Sequence, residues 1–112
     1  AIEAAGGAMG AHLDVAAVQE HACKLLHRLS YNRDDNQGLA AKAGAFEAAV
    51  AAMGAHPGAY DLQISALMAL VNMTANSDGS INEHNVLLAV RAGVIESVVR
   101  AMRTHKNVER VQ

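Results

Sequence analysis

Apolar side chains return along the chain at helical spacing: Ile2, Ala5 and Met9, then Phe46, Ala49, Val50 and Met53, then Ile95, Val98, Val99 and Met102. Positions i, i+3, i+4 and i+7 share one side of an α-helix, so each set predicts a helix with one buried face. The same helix is written three times. Residues 2–12 and 46–56 differ only at Ile2/Phe46, Gly6/Val50 and Gly7/Ala51, and residues 95–105 keep Ile95, Glu96, Ala101, Met102 and His105 of the first copy. Each copy opens on an acid (Glu3, Glu47, Glu96) and closes on a histidine (His12, His56, His105), the polarity that suits a helix macrodipole. One histidine per copy places the three along one edge, too far apart to share a metal ion.

A short break follows each histidine, Leu13-Asp14 in the first unit and Pro57-Gly58-Ala59 in the second, and there the helix ends. A longer helix comes next, with the apolar stripe Val18, Ala22, Leu25, Leu26, Leu29 in the first unit and Leu62, Ala66, Ala69, Leu70, Met73 in the second. Gln19, Gln63 and Gln112 hold the register. Polar loops at 32–35 and 76–83 lead into short helices over 36–43 and 85–92, which stop at Gly44 and Gly93. Glycine tolerates the left-handed conformation that ends a helix and redirects the chain. Successive histidines lie 44 and then 49 residues apart, between 12, 56 and 105, and the second loop holds the difference. A repeat in the mid-forties predicts a helical solenoid, all-α, of about two and a half three-helix units over 1–44, 45–93 and a partial 94–112. It reads as a slice of a longer array.

Composition narrows this further. With 52% hydrophobic residues, 3% aromatic and one proline, the chain suits closely packed Ala-, Leu-, Met- and Val-rich helices and not a sandwich or barrel. A formal charge of −2 argues against nucleic acid as a partner. A single cysteine, Cys23, forms no internal disulfide, which fits a reducing, intracellular and cytoplasmic setting. No apolar run is long enough for a membrane span.

The Ala-Gly-Ala/Val turn, the middle helix ending in Ala-Met-x-x-His, and the long-helix segments Val-Gln-Glu-His-Ala-Cys-Lys-Leu-Leu (18–26) and Leu-Met-Ala-Leu-Val-Asn-Met (67–73) together resemble armadillo repeats. The resemblance covers essentially the whole chain; the related two-helix HEAT repeats lack the extra helix before the Gly turn. It implies a right-handed α-α superhelix whose third helices line a concave groove that binds proteins, often as extended peptides. Carried over by position, the family's groove asparagine falls on Asn72 and Arg28, and its groove tryptophan on Met68 and Lys24. Only Asn72 keeps the family's residue. The missing indoles argue against recognition of basic peptides, whose stems those rings would sandwich.

His21, Lys24 and Arg28 follow at i, i+3, i+7 on the first long helix, and Ser65, Met68 and Asn72 are their counterparts on the second. The first set suits an acidic partner; the second offers hydrogen bonding and an adaptable apolar floor. The plain alternative is a solvated helix face. Cys23 and His27 would make half a zinc site, but Cys23 aligns with the apolar Leu67 and reads as a core thiol. The loop at 76–81 imitates the middle of a calcium-binding EF-hand, yet its first and last ligand positions fall on Thr74 and Asn85, neither a carboxylate. Neither a nucleophile beside a base nor a phosphate loop is present, and no cofactor is expected.

The expected function is therefore a non-catalytic protein-interaction scaffold using His21, Lys24, Arg28, Ser65, Met68 and Asn72. The alternatives are a structural spacer within a larger repeat protein, or a segment attached to a catalytic domain elsewhere. Ile2, Met9, Val98, Val99 and Met102 are expected to lack cover at the ends of the stack, which predicts self-association. Gly6 and Gly7 weaken the first helix by roughly 1 kcal/mol each relative to alanine, so that helix should fray.

Overall fold

A computed structural model describes residues 2–106. Seven helices account for about three quarters of them: α1 (Ile2–Ala11), α2 (Ala16–Ser30), α3 (Asp34–Lys42), α4 (Ala45–Ala55), α5 (Tyr60–Thr74), α6 (Glu83–Ala92) and α7 (Val94–Thr104). Among the described residues no β-strand forms; Ala75 and Ile81 make one isolated antiparallel bridge that closes the α5–α6 loop. The all-α class is as expected, and the body measures 34 × 29 × 22 Å. Gln112, the third register glutamine, lies outside the described residues.

The helix boundaries follow local chemistry. Gly44 (φ 76°) and Gly93 (φ 96°) are left-handed and sit between α3 and α4 and between α6 and α7, so each short helix stops and the next begins across one residue. Both short helices start two residues earlier than the spacing predicts. Asp34 and Asp35 occupy the first turn of α3, and the Asn82 side chain caps α6 by accepting the Asn85 N–H at 3.1 Å.

The order short, middle, long is complete in α3–α4–α5 and is begun again by α6–α7. The long helices α2 and α5 make the most extensive contact in the molecule, and α1, α4 and α7 line up beside one another. The core is built from small and medium side chains: Ala49, Ala52, Ala66 and Ala69 allow close approach around Met9, Leu26, Phe46, Met53, Leu62 and Met73.

Side-chain amides hold the helix ends together. The last carbonyls of a helix have no partner within it. Gln19 Nε2 donates to Met9 O (2.8 Å) and His12 O (2.9 Å), closing α1, and Gln63 Nε2 donates to Met53 O (3.1 Å) and His56 O (2.9 Å), closing α4. Asn36 and Asn85 do the same for the long helices, reaching Leu29 O (2.6 Å) and Met73 O (2.8 Å). Histidines join neighbouring breaks: His56 Nε2 lies 2.7 Å from Leu13 O and His105 Nε2 lies 3.0 Å from Pro57 O. In each case the histidine bonds the residue that follows the previous histidine in the series.

Burial differs from expectation at four positions, Val18, Leu25, Ile2 and Met9. Leu25, placed in the apolar stripe of the first long helix, is 41% exposed and Val18 is half-buried, whereas the polar Gln19 is fully buried. Ala69 and Leu62, the counterparts of Leu25 and Val18, are buried, because α2 covers that side of α5 while no described helix covers the same side of α2. Ile2 and Met9, expected to lack cover, are buried beneath α2. At the other end Val98 is half-buried, and Val99 and Met102 are exposed, as is Ile95 at 54%.

Candidate functional site

The long helices bring Lys24 and Arg28 from α2 and Ser65 and Met68 from α5 around one depression of about 480 Å³, completed by His27, Asp61 and Ile64. The side-by-side packing of α2 and α5 creates it, since residues 44 apart in sequence become neighbours across the helix pair. Lys24 and Arg28 are exposed, and Met68 is 46% exposed and forms an apolar floor with Ile64. Ser65 is only 6% exposed and stands at the bottom. Lys24 Nζ is paired with Glu20 at 2.9 Å, an exposed i, i+4 contact of the kind that contributes about 0.3–0.5 kcal/mol and is readily exchanged for another carboxylate.

The other two residues expected at the site lie elsewhere. His21 faces a separate, almost wholly apolar hollow of about 540 Å³ formed by α1 and α2. Asn72 is half-buried between the helices: its Nδ2 donates to His27 O at 3.0 Å and also meets His27 Nδ1. A backbone carbonyl only accepts, so the atom facing it is the amide nitrogen, and that nitrogen in turn requires His27 Nδ1 to act as the acceptor. The Asn72 amide is thus committed to joining α5 to α2.

His27, Asp61 and Ile64 also belong to the depression, beyond the six residues that the sequence points to. Asp61 and Ile64 stand one turn before Ser65 and Met68 at i−4, so the helical period alone would have added them. His27 stood out only as a partner for Cys23. Burial pushes the Cys23 thiol up to about 12, which leaves it a neutral core side chain. In the α5–α6 loop Asp78 accepts from Ser80 Oγ (2.6 Å) and, to lesser effect, from Ser80 N (2.9 Å), and these bonds hold its carboxyl below the usual carboxylate range. Among the described residues no three His, Cys, Asp or Glu side chains converge as metal ligands, and no helix is long and apolar enough to cross a membrane.

What the geometry defines is an all-α protein whose three-helix order recurs and whose two long helices share a mixed polar and apolar depression. No family model matches the chain, and no solved structure matches it significantly. It is similar to Protein aardvark of Dictyostelium discoideum, 33% identical over 105 residues that take in 88% of this chain. The chain spans only 14% of that protein's length.

Proposed function

We propose that the chain is an armadillo-type solenoid segment that acts as a non-catalytic scaffold, binding an extended, acidic stretch of a partner protein across α2 and α5. One observation carries this reading: Lys24 and Arg28, two exposed cations one turn apart, share a depression with the apolar pair Ile64 and Met68. A carboxylate can displace Glu20 from Lys24 and pair with Arg28, while a neighbouring apolar side chain rests on Met68, whose flexible thioether adapts to it. The recurrence of contacts between equivalent positions, with His56 and His105 each reaching back to the preceding break, supports the solenoid reading.

The spacer reading has its own support in the commitment of Asn72 to His27, which leaves one fewer polar group for a ligand. Fluorescence anisotropy with panels of acidic and basic ten-residue peptides separates the two. A scaffold prefers acidic peptides, loses them as salt rises, and loses or reverses the preference in a Lys24→Glu/Arg28→Glu variant of unchanged helicity. Equal, weak binding of both panels by wild type and variant removes the scaffold reading.

A further inference from the structure

The middle helices α1 and α4 end side by side at a hollow of about 540 Å³, walled by Gly10, Ala11, Leu13 and Asp14 on one side and Ala55 and His56 on the other. Both walls lie within the chain, between one unit and the next, so the hollow is not an open end of the stack. Aligned carbonyls make the C-terminal end of each helix partially negative. Neither α1 nor α4 has a basic residue in its last turn, and the capping amides of Gln19 and Gln63 bring hydrogen bonds but no charge. Asp14 adds a full negative charge, is exposed, and forms no ion pair among the described residues. The group this place lacks is a cation.

One unit further on, the chain supplies that cation itself. A Cβ added at Gly54 would lie 3.5 Å from Arg100 Nη1, so the Arg100 guanidinium, reaching over from α7, rests against the last turns of α4. Gly54 is the counterpart of Gly10, where an added Cβ would meet nothing within 4 Å, because α4 has Ala51 where α7 has Arg100. The acid is distributed the opposite way: Asp14 stands at the hollow that has no arginine, and its counterpart one unit on is Gly58. From this exchange we propose that the hollow receives an arginine side chain of a partner protein, its guanidinium laid against Gly10 and paired with the Asp14 carboxylate. A guanidinium is planar and offers parallel N–H groups to both oxygens of one carboxylate, whereas a lysine ammonium is a point charge, so arginine fits this place better. The hollow shares no residue with the depression between α2 and α5, and the proposal does not depend on that site.

The test uses the full 112-residue chain, isotope-labelled, and an acetylated, amidated Gly-Arg-Gly tripeptide, with citrulline in place of arginine as the uncharged match. Amide shifts on titration should concentrate at Gly10, Ala11, Ala55 and His56, and the citrulline peptide should bind at least fivefold more weakly. Asp14→Asn, at an exposed side chain, should weaken binding of the arginine peptide at least threefold. Ala51→Arg, an exposed substitution that copies Arg100, should abolish binding by filling the hollow from within and should raise Tm by about 2–5 °C, while Ala51→Gln does neither. No shifts at these residues with millimolar arginine peptide, equal affinity for the citrulline peptide, or binding unchanged in Ala51→Arg would each overturn the proposal. So would shifts centred on Glu20 or Asp61, which would mark a general attraction of cations to exposed acids.

Discussion

Gln63 is the side chain whose removal should cost most for its size. Met53 O stands four residues before Pro57, which has no N–H to offer, so the donor that would continue the helix is missing and Gln63 Nε2 supplies it. His56 O, the second acceptor, also receives the Ala59 N–H at 3.1 Å and is less dependent. Gln63→Leu keeps the volume and deletes the donors. Leaving Met53 O unsatisfied in a buried site costs about 1–3 kcal/mol, and losing one of two bonds at His56 O adds about 0.5–1 kcal/mol. The expected destabilisation is about 1.5–4 kcal/mol, a fall in Tm of roughly 8–25 °C for a domain of this size. Gln19→Leu should cost less, although its bonds are as short, because the Gln19 Oε1 is buried with no partner and its removal relieves that cost. Urea unfolding followed by circular dichroism at 222 nm gives both values. A Gln63→Leu chain within about 0.5 kcal/mol of wild type, or a Gln19→Leu chain less stable than it, would refute this account of the helix ends.

Two glycines should respond in opposite directions. A Cβ at Gly7 meets nothing within 4 Å in the middle of α1, so Gly7→Ala should stabilise by up to about 1 kcal/mol, while Gly44→Ala, at φ 76°, should destabilise by about 1–2 kcal/mol; thermal melts decide both. Cys23 should resist a thiol reagent in the native state and react once the chain unfolds. Its folded value of about 12 lies above its ordinary 9.0, so the unfolded chain loses the proton first, and stability should decline from about pH 9 towards pH 12 in wild type and not in Cys23→Ala.

Much of the fold is legible in the residues. The period-3.6 pattern places the helices within about two residues, and the glycines at 44 and 93 mark where they end. The candidate site was legible in part. Spacing along one helix put Lys24 and Arg28 together, and the 44-residue step put Ser65 and Met68 opposite them, because a regular repeat converts sequence offset into neighbourhood in space. It could not separate His21 from that set, since i, i+3, i+7 positions share a broad helix face that a neighbouring helix then divides.

The roles of the polar residues depended on tertiary contact. Gln19 and Gln63 read in the sequence as register markers and prove to be buried caps on the ends of α1 and α4, and Asn72 reads as a ligand contact and joins two helices. An amide's value lies in the carbonyl it reaches, and those carbonyls are 10 and 45 residues away. Burial was divided in the same way: the apolar pattern alone determined which face of each helix could be buried, and the presence of a neighbour decided which face was. Leu25 and Ala69 carry the same pattern, but only Ala69 has a helix laid across it.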